Sequence, residues 1–271
     1  MNTLPEPGSA APTVWRVGAG PGDPELLTLK AVRAIRQASV LLVDDLVGAA
    51  VLRFARRSAR IVHVGKRGGC RSTPQAFTQQ LMLREALAGE RVVRLKGGDP
   101  FIFGRGGEEA DFLRGHGLRV EVASGITAGL AAANALGVAL THRDRAHGVI
   151  IVTGHAREGS TALHWRSLAA AAAQGLTLVI YMGVSEVAAL QHELLQGLPA
   201  DTPVGIVQHA SRANQRTAVT SLAALAATVA AEGLASPSII IVGDVLQGLS
   251  QVQERATHAG ERQLPAESLS G

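Results

Sequence analysis

Short apolar runs alternate with amphipathic stretches along most of this chain. Residues 14–17, 40–43, 61–64, 91–95 and 118–122 read as buried strands, each closed by a polar or glycine-bearing turn. Helical spacing fills the gaps. Leu27, Ala31, Ala34, Ile35 and Ala38 recur on one face, with Asp23 placed as N-cap, Pro24 at the first helical position and Glu25 complementing the dipole. Thr73-Pro74 opens a helix in which Phe77, Leu81 and Ala88 share a face, and an alanine-rich helix runs to about Leu136. Five strand–helix alternations predict a mostly parallel sheet.

A densely polar stretch, Thr141-His142-Arg143-Asp144-Arg145, interrupts the pattern, and a domain boundary is placed there. Alternation then resumes. Strands are expected at 149–152, 178–182, 204–208 and 239–242, with an antiparallel one at 217–220. Helices are expected near 163–173, 185–196 and 221–232, the second capped by Ser185 and ended by Gly197 and Pro199. The expected organisation is a disordered leader at 1–12, an N-terminal α/β domain at 13–138, a C-terminal α/β domain with a mixed sheet at 139–247, and a flexible tail at 248–271.

Composition narrows the function classes. Apolar residues make up 46% of the 271 positions, enough for a large core, whereas aromatics are only 3%. So few aromatics disfavour a stacking platform for single-stranded nucleic acid. The net charge of +4 suits an anionic small molecule as well as it suits RNA. Cys70 is the one cysteine, so no intrachain disulfide forms, which fits a reducing, cytoplasmic setting. Residues 1–12 lack the basic and apolar regions of a secretory signal, and no apolar run is long enough to span a membrane.

The chemistry concentrates after the strands. Two glycine clusters, Gly97-Gly98 and Gly104-Arg105-Gly106-Gly107, flank Asp99-Pro100-Phe101-Ile102-Phe103, a binding loop at a strand end. Asp23, Asp44-Asp45, Lys66-Arg67 and Asp99 all follow strands, and a parallel sheet puts strand C-termini on one rim. Gly18 and Gly20 begin a dinucleotide fingerprint, but its third glycine position holds Asp23, whose charge would oppose a pyrophosphate. The histidines and single cysteine show no metal spacing, and Ser124-Gly125 is no nucleophile elbow.

At these motifs the chain resembles the tetrapyrrole (precorrin) methyltransferases. Val17-Gly18-Ala19-Gly20-Pro21-Gly22-Asp23-Pro24 is similar to their opening motif, and the stretch from Val92 through Glu109 to their second. Gly65-Lys66-Arg67-Gly68, Gly125-Ile126-Thr127-Ala128, Leu140-Thr141-His142-Arg143, Val152-Thr153-Gly154-His155 and Tyr181-Met182-Gly183 also match in order, over roughly 14–246. The resemblance implies two α/β domains with S-adenosylmethionine folded into a cleft between them, in a homodimer. It implies cofactor contacts at Pro21, Gly97, Gly98, Asp99, Ile102, Thr127, Ala128, Met182 and Ala210. It also implies a proton acceptor at Asp44, a proton donor at Lys66, and two methyl transfers to C2 and C7 of uroporphyrinogen III, giving precorrin-2 on the way to sirohaem or cobalamin. Arg67, Arg105, Arg143 and Arg145 are the expected partners of the substrate's carboxylates. Three positions depart from the family pattern: Asp45 replaces the usual Arg, and Ser124 and Ala139 each replace Pro. The competing expectations are the same fold acting on RNA or on another corrin carbon, a non-catalytic binding sensor, and, more distantly, a nicotinamide oxidoreductase.

Overall fold

The computed structural model describes residues 11–65, 74–155 and 163–249. They form two compact units. The first runs to Ala131 and includes His209–Asn214; the second comprises Ala132–Gln208 and the chain from Gln215 onward.

The first unit is built on a five-stranded sheet from β1 (Thr13–Gly18), β2 (Val40–Val43), β3 (Arg60–His63), β4 (Val92–Lys96) and β5 (Arg119–Ala123). All its pairings are parallel, in the order β3-β2-β4-β1-β5. The helices are α1 (Leu29–Gln37), α2 (Gln75–Leu87), α3 (Gly106–Gly115) and α4 (Ala128–Leu136), the last crossing the division between units. Alternate strand residues face opposite sides. Val17, Leu41, Val43, Val93 and Leu95 meet Ala31, Ala34 and Ile35 of α1; Val14, Val40, Leu42 and Val92 meet Leu81 and Met82 of α2 and Leu113 of α3. Each fully buried aliphatic chain contributes about 1.5–3 kcal/mol relative to exposure.

The second unit carries a mixed sheet of β6 (Gly148–Thr153), β7 (Leu176–Tyr181), β8 (Pro203–Gln208), β9 (Arg216–Ser221) and β10 (Ser238–Val242), in the order β6-β7-β10-β8-β9. Only β6 and β7 run parallel. Helices α5 (Trp165–Ala173), α6 (Val187–Leu194) and α7 (Leu225–Ala231) cover a core that includes Leu178, Ile180, Leu194, Ile206, Leu222 and Ile240. Among the described residues no helix is long and apolar enough to cross a membrane.

Three local expectations are corrected. Asp23 caps only a single 3₁₀ turn, Pro24–Leu26, by accepting from the Glu25 amide at 2.8 Å. Leu27 is then extended, and α1 starts anew at Thr28, whose hydroxyl accepts from the Ala31 amide at 3.2 Å. Phe77 does not share the buried face of α2: it is 57% exposed, and the face is built from Thr78, Leu81, Met82, Glu85 and Ala86. Ser185 lies inside a 3₁₀ turn, Val184–Glu186, and α6 has no side-chain cap. Lys66, Arg67, Cys70 and Thr73 lie outside the described residues.

Candidate active site

The parallel first sheet brings the loops after β1, β4 and β5 to one edge, where their backbones touch. Gly20 and Gly98 exchange amide–carbonyl hydrogen bonds of 3.2 and 2.7 Å, and the Ala19 amide donates to the Lys96 carbonyl at 2.7 Å. A Cβ on Gly125 would lie 2.2 Å from the Gly98 carbonyl oxygen, and one on Gly18 would lie 2.5 Å from the Gly125 nitrogen. Only glycine permits that approach. Gly125→Ala is expected to push the three loops apart and destabilise the protein by about 1–3 kcal/mol, the usual range for overpacking. A thermal melt unchanged within error would refute it.

Asp99 ties the same loops with its side chain. One carboxylate oxygen accepts from the Phe101 amide at 2.8 Å and the other from the Gly125 amide at 3.0 Å. A residue expected to touch a cofactor therefore braces two loops. Asp99→Ala removes both bonds, each worth about 1.5–3 kcal/mol when the acceptor is charged. A lower melting temperature and weaker S-adenosylmethionine binding by calorimetry are expected, and unchanged values for both would contradict the brace.

Gly98 takes a left-handed φ of 65°, and a Cβ on it would meet nothing nearer than 3.8 Å, the atoms there belonging to Thr127 and Ala128. Gly98, Asp99, Thr127 and Ala128 are thus brought together. Beyond them the Phe101–Phe103 tip is exposed. The second glycine cluster does something else. Cβ atoms on Gly104 or Gly106 would fall 2.5 and 2.3 Å from the Pro100 carbonyl oxygen, so these glycines let the loop fold on itself.

Residues 209–214, after β8, complete the first unit. Ser211 Oγ accepts from the Asp23 amide at 3.1 Å, and the Arg212 guanidinium donates to the Leu46 carbonyl. Ala210 is buried in this segment. Sequence reasoning reached Ala210 but not its neighbours.

Beneath the rim lies a charged network the sequence did not reveal. Arg16 on β1 is in register with Arg94 on β4, both on the face covered by α2 and α3. Arg16 Nη1 pairs with Glu109 of α3; both side chains are 0% exposed. Glu109 also accepts from Gln75 Nε2 at 2.7 Å and lies 3.7 Å from Arg94 Nε. Arg94 Nη2 is 3.8 Å from Asp44 Oδ1, and Lys96 Nζ donates to Asp44 Oδ2 at 3.0 Å. Burial alone would raise the Asp44 pKa. The Lys96 and Arg94 charges, the Lys96 hydrogen bond and the Asp45 amide together outweigh it and hold the carboxyl below its usual range. Burial and the Arg94 charge push Lys96 down, against the opposing pull of Asp44. Burial, then Arg94, brings Arg16 down to about 10, still protonated at neutral pH.

The other expected residues stand as follows. Arg105, left-handed at φ 55°, donates to Glu108 at 2.9 Å. In the second unit, Met182 follows β7 with φ 54° and 45% exposure, an uncommon conformation for so large a residue. Arg143 and Arg145 are exposed in a turn closed by paired hydrogen bonds between His142 and Ala146.

A loop edge lined by main chain, beside a carboxylate held ionised, can hold an extended ligand and accept a proton. The comparisons place the chain in a family. The family model described as Tetrapyrrole (Corrin/Porphyrin) Methylases matches residues 13–226. A Pseudomonas aeruginosa uroporphyrinogen-III C-methyltransferase is 52% identical over 87% of this chain and 95% of its own. A Pseudomonas fluorescens siroheme synthase is 47% identical over 86% of this chain, which spans 50% of that protein. The structure of a Thermus thermophilus uroporphyrin-III C-methyltransferase complexed with S-adenosylhomocysteine superposes with a TM-score of 0.71 at 40% identity, covering 86% of this chain and 92% of that one. With its glycine loops, its family match and a relative 52% identical along 95% of that relative's length, the chain belongs to the tetrapyrrole methylases.

Proposed function

We infer that this chain is an S-adenosylmethionine-dependent C-methyltransferase that methylates uroporphyrinogen III at C2 and then C7, giving precorrin-2. The observation that carries the reading is the 52% identity along 95% of the Pseudomonas aeruginosa enzyme of that name.

The first unit's loops fit the methyl donor. Gly98 leaves open main chain facing Thr127 and Ala128, where an extended ligand can bond to backbone groups. Pro21, Gly97, Gly98, Asp99, Ile102, Thr127, Ala128 and Ala210 would hold it, and the family resemblance adds Met182. When bound, S-adenosylmethionine supplies a methyl group made electrophilic by its sulfonium. The chain's contribution is then orientation, which supplies up to about 7–11 kcal/mol of barrier reduction, and proton transfer. Asp44, ionised at neutral pH, accepts the proton that the macrocycle loses as the new carbon–carbon bond forms. Lys66, matched by the resemblance, is the proposed proton donor. Arg105, Arg143, Arg145 and Arg67 pair with substrate carboxylates, Arg105 by exchanging its Glu108 partner.

A homodimer and a cytoplasmic location belong to the same proposal. The family resemblance supports the first, to be checked by sedimentation velocity, and the single cysteine fits the second. The functional test is an anaerobic incubation with S-adenosylmethionine and uroporphyrinogen III. Two added methyl groups by mass, and a sirohydrochlorin-like absorbance after oxidation, are expected. S-adenosylmethionine binding with no added mass would sink the substrate.

A further inference from the structure

The proposed proton acceptor Asp44 does not stand alone: its nearest partner is Lys96, to which no role has been assigned. Asp44 follows β2 and Lys96 ends β4. These strands are parallel neighbours with Val43 opposite Leu95, so the next step of the register sets Asp44 beside Lys96. The Asp44 amide donates to the Leu95 carbonyl at 3.1 Å, fixing the backbone from which the side chain springs. The ammonium then donates to Oδ2 at 3.0 Å, while Arg94 lies 3.8 Å from Oδ1. The other charges packed around this pair are Asp45 next in sequence, Arg16 of β1 and Glu109 of α3.

The network is closed at one end and open at the other. Glu109 and Arg16 are 0% exposed, Lys96 is 12% exposed, and Asp44 is 23% exposed. Its water-facing terminus is therefore the Asp44 carboxylate, beside the Gly97-Gly98 loop. A buried ion pair is a poor source of stability compared with apolar packing. Its value here lies in holding one carboxylate in a single orientation. Lysine suits that role, because its point charge engages one oxygen and leaves the other lone pairs for an incoming proton.

We propose that Lys96 is the positioning residue of the proton-accepting site, fixing both the orientation and the charge of the Asp44 carboxylate. The inference rests on Asp44 being the proton acceptor. During turnover Asp44 takes the proton shed by the macrocycle and later releases it to water, while Lys96 holds the carboxyl group in place.

The test is the pH profile of methyl transfer by Lys96→Met, expressed at each pH as a ratio to the native protein. The ratio cancels titration of the substrate's own carboxylates. Without Lys96, the burial of Asp44 is opposed only by Arg94 and the Asp45 amide and its pKa moves upward, so the ratio should fall severalfold as pH drops from 8 to 5. Lys96→Arg should restore a level profile. A purely structural role would lower activity by the same factor at every pH, and such a level ratio for Lys96→Met overturns the proposal. If Lys96→Met does not fold, as judged by its thermal melt, Lys96→Gln reads the same profile. Asp44→Asn separates the two levels of argument. Full activity in that variant would overturn the Asp44 role and this inference with it; an inactive Asp44→Asn with a level Lys96→Met profile would overturn the Lys96 role alone.

Discussion

Asp44→Asn is expected to bind S-adenosylmethionine normally and to lose methyl transfer by about 10²–10⁴-fold, the usual contribution of a positioned general base. The amide keeps the shape and one acceptor oxygen but takes up no proton. Calorimetry for the cofactor and single-turnover assays for the chemistry separate the two effects, and activity within about threefold of native would remove Asp44 from the mechanism. The native pH dependence follows from the same geometry. The Asp44 pKa is depressed, so its carboxylate is ionised through the neutral and mildly acidic range. Its contribution to stability is present above the ordinary carboxylate value of about 4 and disappears as pH falls through the lower folded-state value. Asp44→Asn should therefore flatten the acid side of the stability curve.

Glu109→Ala carries the largest expected loss of stability. It leaves Arg16 fully buried without its carboxylate and strips Arg94 and Gln75 of a shared partner. Removing one member of a buried pair costs about 3–5 kcal/mol, because the remaining charge stays desolvated. For a protein of this size that lowers the melting temperature by roughly 6–20 °C. Glu109→Gln, which retains acceptor oxygen and volume, should lose less. A melting temperature for Glu109→Ala within about 2 °C of native would show that Glu109 does not hold this network. Glu108 makes the contrast within one helical turn: it pairs with Arg105 on the surface, half-exposed, and its loss should be small.

Most strands were legible because they are short, largely apolar runs closed by polar or glycine-bearing turns, and the rim followed from parallel topology. Asp44 and Asp99 could be placed there before any coordinates. The buried network could not. Arg16 and Arg94 sit inside apolar strands, where a lone charge reads as an outward-facing residue. Their common spacing, each two positions before the residue that meets the loop, was the available signal: Gly18 and Lys96 are in register just as Arg16 and Arg94 are. Glu109 lies in the first turn of α3, where the helix dipole already accounts for an acid, a local role that says nothing of burial. The start of α1 was misplaced for a similar reason. Asp23-Pro24-Glu25 is a sound cap in isolation, and only the extended Leu27 and the Thr28 hydroxyl, which also donates to the Ser124 carbonyl at 3.3 Å, decide that the helix begins later. Within the second glycine cluster, the close approach of Gly104 and Gly106 to the Pro100 carbonyl was likewise not legible in the sequence.

The first unit takes its final piece from residues 209–214, long after the rest of it has been synthesised. A nascent chain that has reached Ala131 has every strand of the first sheet but lacks the hydroxyl that receives the Asp23 amide and the guanidinium that caps the Leu46 carbonyl. At about 5–20 residues per second, the ribosome takes several seconds more to deliver them. A fragment ending at Ala131 would therefore carry the whole first sheet but lack these two ties, on the Asp23 amide and on the Leu46 carbonyl.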